Sequence, residues 1–129
     1  MPETNDECAS ILSTIDIADL SAVADATLYT VPVGKLTIPV IAFLKADGDV
    51  GAALVCSIGQ AGAETDWVGA TNGDNLDAAN DVIPFMPVPS ATPATMKAYT
   101  AGTVIEFRVS TGGNAVAGKV FFLGFNYNA

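Results

Sequence analysis

The sequence predicts an all-β protein, a single antiparallel β-sandwich of about eight strands that follows an extended N-terminal arm. Short apolar segments recur along the chain with glycine, proline or aspartate between them, as is typical of strands joined by turns. One segment alternates strictly between apolar and polar residues, and no segment carries a helical period over more than one or two turns. The 129 residues suit one domain, which we divide into an arm at 1–26 and a sandwich at 27–129.

The clearest strand signal is the alternation at 103–110, where Ile105, Phe107 and Val109 alternate with Glu106 and Arg108. Because neighbouring side chains of a strand point to opposite faces, one face is expected in the core and the other in water. Similar but weaker patterns mark the other predicted strands, at 27–31, 35–46, 50–58, 66–70, 82–86, 95–99 and 118–127.

Turn residues separate these strands and suggest how they connect. Pro32 with Gly34, the segment 47–49 and the segment 112–114 each predict a hairpin turn, because glycine tolerates the positive φ that tight connections need. Pro39 interrupts a strand and cannot donate a hydrogen bond to a neighbour. It therefore predicts that its strand lies at a sheet edge or contains a bulge.

The predicted arm has a polar beginning and an apolar second half that fits neither a helical nor a strand period. We expect it to pack on the domain or to reach across to a neighbouring protein. The alternative is that it forms an edge strand of its own sandwich. The residues proposed to contact a partner are Ile11, Leu12, Ile15 and Ile17.

Composition favours a protein with a protein partner and argues against several other classes. Half of the residues are hydrophobic and 15% are charged, which is more apolar than a small monomer needs; an alanine-rich sandwich without a partner is the alternative.

A net charge of −9 with only five cations would repel nucleic acid. No apolar run is long enough to span a membrane, and the acidic N-terminus lacks the pattern of a secretory signal, so synthesis in a cytoplasm is expected.

Catalysis and bound cofactors are not expected. The chain contains no histidine, which removes the commonest general base and the usual nucleophile arrangements. The loop at 72–81 carries six side chains with oxygen atoms, a composition suited to calcium. It lacks the spacing of a calcium-binding EF-hand loop, so a polar loop rich in turns is the preferred interpretation, with no metal and no cofactor.

The two cysteines and the single tryptophan invite structural and functional interpretations. Cys56 lies in an apolar segment and is expected to be a small buried residue, whereas Cys8 lies in the polar tail. A bridge between them would fasten the arm to the sandwich, but cytoplasmic folding argues against it. Trp67 is either a flat contact surface for a sugar or protein partner, or a strand residue that covers the core.

The last strand offers apolar residues to both of its faces. We expect Phe121, Leu123, Phe125 and Tyr127 to face the core. Phe122, which shares the opposite face with Gly124, is then a candidate subunit contact.

Four segments together resemble small virion proteins of tailed bacteriophages. They are Leu28-Tyr-Thr-Val-Pro-Val-Gly-Lys, Ser57-Ile-Gly, Tyr99-Thr-Ala-Gly-Thr-Val-Ile-Glu-Phe-Arg-Val and Phe122-Leu-Gly-Phe-Asn-Tyr. The resemblance covers residues 28–127 and consists of turns and strand residues. It implies a jelly-roll-like sandwich used as a capsid decoration, head-fibre or tail-associated module.

The resemblance also implies a partner and a location. A decoration, or cement, protein binds the outer surface of the major capsid protein and stabilises the particle, commonly as a homotrimer at threefold positions. The arm would then make the capsid contact. The rival hypothesis is a carbohydrate- or receptor-binding module of a tail or fibre that uses Trp67 and the 72–81 loop, and a structural tail or connector subunit is a third.

Overall fold

A computed structural model of the protein describes residues 10–88 and 97–129, and it confirms the predicted β-sandwich. The described residues contain no helix, and therefore none that could cross a membrane. Two antiparallel sheets are formed by nine strands. In chain order these are β1 (Ser10–Ile17), β2 (Ala24–Thr30), β3 (Lys35–Ala46), β4 (Val55–Gln60), β5 (Ala63–Asn72), β6 (Val82–Phe85), β7 (Tyr99–Thr100), β8 (Val104–Thr111) and β9 (Gly118–Asn128).

The two sheets have a nested order of strands. Sheet A runs β1-β9-β3-β6, with β7 also paired to β3, and sheet B runs β2-β8-β4-β5. The first strand therefore pairs with the last, β2 with β8, β3 with β6, and β4 with β5, and these four pairs alternate between the two sheets.

The predicted hairpin turns are wrong, because all three connect strands of different sheets. The turn at Pro32 and Gly34 joins β2 to β3, the segment 47–49 leads from β3 towards β4, and the segment 112–114 joins β8 to β9. The hairpin among the described residues joins β4 to β5 through a two-residue turn in which Gly62 has a φ of 88°. Turn residues signal a reversal of the chain, but they do not decide which strand pairs with which.

The positions of the strands along the sequence were predicted more accurately than the pairing between strands. The strand at 35–46 was predicted with the bounds that β3 has. β6 and β9 differ from their predictions by one residue at one end, and β8 differs by one residue at each end. The strand predicted at 50–58 begins only at Val55, because Val50 and Leu54 are buried in a loop that closes one end of the sandwich. Of the strand predicted at 95–99, residues 95 and 96 lie outside the described part.

From residue 10 onward the predicted arm belongs to the sandwich, as the alternative interpretation had it. β1 pairs along its length with β9 and forms an edge of sheet A. Three of its apolar side chains, Leu12, Ile15 and Ile17, pack against the core, whereas Ile11 is 60% exposed. Residues 1–9, including Cys8, lie outside the described residues. Residues 10–26 of the predicted arm thus contribute β1 and the beginning of β2 to the sandwich.

Aromatic contacts join the two sheets at the centre of the core. Trp67 of sheet B meets Phe122 of sheet A edge to face, with ring centroids 5.6 Å apart. Phe85 of sheet A meets Phe107 of sheet B in the same way at 5.9 Å.

Cys56 is fully buried, as predicted, and burial raises the pKa of its thiol to about 12. A thiol with so high a pKa is unreactive at neutral pH.

The faces predicted for β9 are reversed in the structure. Phe122 is completely buried against Trp67, which is also completely buried. The residues expected in the core, Phe121, Leu123, Phe125 and Tyr127, lie on the outer face of sheet A and are half-buried. Neither Trp67 nor Phe122 can therefore contact a partner while the sandwich is folded. Alternation separates the two faces of a strand, but it cannot say which is internal when both are apolar.

Loops from both sheets are linked by backbone hydrogen bonds at one end of the sandwich. The amide of Gly113 donates to the carbonyl of Leu20 at 3.0 Å, and the amide of Asn114 donates to that of Val50 at 2.8 Å. The two segments of backbone approach each other so closely that a Cβ atom on Gly112 would lie 2.0 Å from the carbonyl oxygen of Ser21. Glycine is required here because backbone occupies the space of a side chain.

We expect Phe122→Ala to lower the free energy of unfolding by about 3–5 kcal/mol, because it leaves a cavity beside Trp67. Phe125→Ala, at a half-buried position of the same strand, should cost roughly 1 kcal/mol. Urea unfolding of both variants measures the difference. Equal losses would contradict the assignment of the two faces.

We expect Gly112→Ala to lower the free energy of unfolding by about 1–3 kcal/mol, because the backbone of Ser21 must move to admit the methyl group. Gly69→Ala is the matched control, since no atom lies within 4 Å of the added Cβ, and it should change stability by less than about 0.5 kcal/mol. Thermal unfolding of the two variants compares them. A Gly112→Ala protein as stable as the control would show that this end of the sandwich is loosely packed.

Candidate functional site

The outer face of sheet A is apolar across four strands. Cross-strand partners share a face of a sheet, and the register places Leu123 of β9 between Ile11 of β1 and Ile41 of β3. In the next row, Phe121 lies beside Phe43, which in turn lies beside Pro84 of β6. We call this surface the apolar face; it comprises Ile11, Leu36, Ile38, Ile41, Phe43, Pro84, Phe121, Leu123, Phe125 and Tyr127.

A bulge shapes the middle of the apolar face. The register between β3 and β9 shifts between Pro39 and Ile41, and the extra residue, Val40, is 44% exposed. On the other side of β3, pairing with β7 covers 36–37 and pairing with β6 covers 42–45. Pro39 lies in the gap between these two partners, so its missing N–H group disrupts no ladder there. The predicted bulge is confirmed.

Charged side chains border the apolar face at one end. Lys45 and Lys119 are direct cross-strand partners on this face, and Lys119 also lies opposite Asp16. Lys45 forms an ion pair with Asp47 at 3.1 Å, and Lys119 with Asp16 at 3.5 Å. Like charges directly opposite each other destabilise a sheet, and here each lysine has an aspartate partner that opposes this repulsion.

The outer face of sheet B is charged instead. Arg108 of β8 binds both carboxylate oxygens of Asp25 on β2, at 2.7 and 3.0 Å. Its guanidinium also pairs with Glu64 of β5 at 3.2 Å. Glu64 reaches across β4, which presents only Ser57 and Gly59 on this face. The hydrogen bond from Arg108 lowers the pKa of Asp25, and hydrogen bonds from backbone amides, first that of Gly62, lower the pKa of Glu64.

Three carboxylates of this charged face form the one group in the described residues that has the composition of a metal site. Oxygen atoms of Asp25, Glu64 and Glu106 lie within 4.8 Å of one another. The guanidinium of Arg108 already binds two of the three. Partial burial, together with a hydrogen bond to Glu64, raises the pKa of Glu106. We interpret the group as an ion-pair network that joins three strands.

The loop at 72–81 uses its polar side chains to hold its own turns. The carboxylate of Asp81 accepts hydrogen bonds from the amides of Asp77 and Ala78, both at 3.0 Å, and Asn72 accepts one from the amide of Asp74. Leu76 is fully buried and anchors the loop to the end of the core. These contacts agree with a polar loop rich in turns.

Sequence reasoning missed the apolar face and placed the partner contacts elsewhere. Of the six residues proposed for a partner, Ile11 lies on this face, Leu12, Ile15 and Ile17 pack against the core, and Trp67 and Phe122 are buried within it. The available signal was the pair of segments 36–43 and 121–127, in which apolar residues occupy both alternating positions. Near-continuous apolar runs indicate strands that are apolar on both faces, so an apolar outer face could have been predicted.

We expect Glu106→Gln to stabilise the protein at pH 7. The pKa of Glu106 is raised in the folded state, so folding favours the protonated form, and the charged form costs stability once the pH exceeds the pKa of the unfolded chain. The gain should disappear as the pH falls below about 4, near the unfolded value for glutamate. Unfolding curves at several pH values measure it. Asp77→Asn, at an exposed loop residue, is the control for removal of one negative charge; an equal gain there would contradict the specific role of Glu106.

Comparison with known proteins yields a likeness of fold. No family model matches the chain, and no curated protein matches it. Among solved structures, the fold is similar to that of a chain in a structure described as the cyanophage Pam1 capsid asymmetric unit. The TM-score is 0.54 at 14% sequence identity, and the match covers 91% of this chain and 84% of that chain. At this identity the likeness establishes that the two chains share a sandwich fold.

Proposed function

We propose that this protein is a structural component of a phage virion and that it decorates the capsid, binding the outer surface of the major capsid protein and stabilising the particle. The observation that carries the proposal is the apolar face, an apolar sheet surface on a chain with a net charge of −9. A protein of this kind acts by burying area on a partner. It requires no catalytic residues.

The strand order supports this proposal. Four nested pairs that alternate between two sheets are what we would expect if the sandwich is a ribbon wound into a jelly roll, an architecture common in viral capsid and lectin domains. The similar fold in the cyanophage Pam1 capsid asymmetric unit adds weight to a capsid role among these classes. Fold alone does not determine function, so the surface has to carry the rest of the argument.

The two outer faces differ in a way that suits attachment to a shell. The apolar face can exclude water against another protein, which is worth about 25 cal/mol for each Å² of apolar surface buried. The opposite face carries Asp25, Glu106 and Arg108, which are exposed or half-buried, above the buried carboxylate of Glu64. A particle covered with copies of this chain would present a negatively charged, soluble exterior.

We further propose that the protein acts as a homo-oligomer, with a trimer at threefold positions of the lattice as the favoured state. Several linked copies convert weak single contacts into firm attachment, because each contact after the first is effectively intramolecular. The net charge of −9 argues against direct binding to the packaged nucleic acid. The proposed location is the outside of the capsid.

The rival function, a carbohydrate- or receptor-binding module of a tail or fibre, has less support. It relied on Trp67 as a stacking surface, and Trp67 is completely buried. The 72–81 loop, its second element, directs its Asp81 carboxylate to its own backbone. In the part of the chain that the structure describes, neither of these two elements favours a sugar over a protein as the partner.

Quantitative mass spectrometry of purified particles from the source tests the proposal. We expect a simple lattice fraction of copies of this chain per major capsid subunit, such as one to one. A handful of copies per particle would place the chain in the tail or a fibre and contradict decoration. Complete absence from particles would contradict a role in the virion.

A further inference from the structure

We infer that Asp66 is the centre of an acid-sensitive latch, which holds β7 of sheet A to sheet B and lets β7 detach in acid while the rest of the sandwich stays folded. The latch consists of Asp66 and the three residues that donate hydrogen bonds to it, Gln60, Lys97 and Tyr99. This inference does not depend on the proposed function, because it concerns contacts within one copy of the chain.

Four hydrogen bonds converge on the carboxylate of Asp66. Its Oδ1 atom accepts one from the backbone amide of Gln60 at 3.1 Å and one from the hydroxyl of Tyr99 at 2.7 Å. Its Oδ2 atom accepts one from the side-chain amide of Gln60 and one from the ammonium group of Lys97, both at 2.8 Å. The side chain is only 13% exposed, so these donors replace most of its water. Each oxygen of an ionised carboxylate can accept two hydrogen bonds, and here both do.

The latch crosses the gap between the two sheets on one side of the sandwich. Asp66 belongs to β5, an edge strand of sheet B, whereas Tyr99 belongs to β7, which pairs with β3 of sheet A. Gly59 of β4 leaves room for the carboxylate, since a Cβ atom there would lie 2.7 Å from Oδ1 of Asp66. Three segments of the chain therefore meet at one charged group.

β7 has few other contacts that could keep it in place. It is two residues long, and its register with β3 covers only 36–37. The turn that follows adds a hydrogen bond from the amide of Gly102 to the carbonyl of Val31 at 2.9 Å. Hydrogen bonds to a charged group are stronger than those between neutral groups, so the latch supplies a large share of what holds β7. Its release would leave the edge of β3 unpaired at 36–37.

Acid removes the charge on which the latch depends. Burial alone would raise the pKa of Asp66, but hydrogen bonds from Lys97, Tyr99 and Gln60 outweigh it, so the pKa is lowered. The stabilisation is therefore complete above the pKa of the unfolded chain, about 4, and is lost as the pH falls through the lower folded value. Protonation removes the attraction for Lys97 and turns one acceptor oxygen into a donor. The buried hydroxyl of Tyr99 then competes for the acceptor that remains.

The groups that face Asp66 leave its carboxylate as the one that responds. Lys97 and Tyr99 face it from the segment 97–100, and β4 faces it with the uncharged Gln60. Burial and the bond to Asp66 raise the pKa of Tyr99, so its hydroxyl remains a donor. Glu64, two positions earlier on β5, pairs with Arg108 on the outer face of sheet B.

The opposite side of the sandwich is joined by uncharged groups. The hydroxyl of Ser13 on β1 donates a hydrogen bond to the backbone carbonyl of Leu28 on β2. Neither group titrates near the pKa of aspartate. Protonation of Asp66 therefore loosens one side of the sandwich and leaves this contact unchanged.

Hydrogen exchange of backbone amides, measured by nuclear magnetic resonance on the full chain, tests the inference. The pH range runs from 7 to about 3, on either side of the ordinary pKa of aspartate. Amides of β7 and of 36–37 report the detachment of β7, and the amide of Leu44, in the centre of sheet A, reports global unfolding. Asp66→Asn cannot titrate, and either orientation of its amide turns an NH₂ group towards two of the four donors. Asp77→Asn, at an exposed loop residue, is the matched control.

In the natural chain we expect exchange of the β7 amides, corrected for the intrinsic effect of pH, to rise at least about tenfold below the unfolded pKa of aspartate, while Leu44 changes less. A factor of about ten is what the loss of one hydrogen bond to a charged group produces. Asp66→Asn should reach that rate already at pH 7 and show a much smaller rise in acid. Tyr99→Phe keeps the buried ring and loses one donor, so its rate at pH 7 should lie between the two. Asp77→Asn should behave as the natural chain does.

The remaining outcomes overturn the inference. If Asp66→Asn protects β7 at pH 7 as well as the natural chain does, Asp66 does not hold the strand. If Leu44 and the β7 amides gain exchange together in acid, the chain unfolds as a whole and no latch opens first. Should Asp66→Asn fail to fold, Tyr99→Phe and the pH series of the natural chain decide: unchanged exchange of β7 in both would contradict the latch.

Discussion

The structure depends on the position of β9 in the middle of sheet A, between β1 and β3. Its inward residues, Val120 and Phe122, are fully buried, and Phe122 supplies the aromatic contact that joins the sheets. Its outward residues form the centre of the apolar face. β9 thus contributes both to the core that stabilises the fold and to the surface that we assign to binding. Its side chains alternate between the two.

The outer surfaces of the two sheets divide the chemistry of the molecule between them. Sheet B carries an ion-pair network centred on Arg108, whereas sheet A carries few charges, and those lie at one end. Such a division has a cost, since the exposed part of the apolar face stays in contact with water in an isolated chain. It becomes an advantage when a partner covers one side and water the other. A sandwich divided in this way can keep one face in water while the other face meets the partner that we propose.

Much of the fold could be predicted from the sequence, because strands leave local signals. The bounds of β3 and the bulge at Pro39 follow from apolar runs and from the missing N–H group of proline. The pairing of strands could not be predicted, since a turn such as that at Pro32 and Gly34 has the same residues whether it joins neighbours or crosses between sheets. The orientation of Phe122 could not be predicted either, because both faces of its strand are apolar. The candidate site was missed for that same reason.

The pairing of β1 with β9 has a consequence for how the protein is made. A ribosome releases β1 long before β9, so Ser10–Ile17 has no partner within its own chain until Gly118–Asn128 has left the exit tunnel. Sheet B faces the same delay, because β2 waits for β8. β1 therefore stays unpaired while the intervening strands are made, and the nascent chain must keep an apolar strand from pairing with its neighbours on the polysome. The 14 aspartate and glutamate residues give the chain a net negative charge, and repulsion between like-charged chains opposes such pairing.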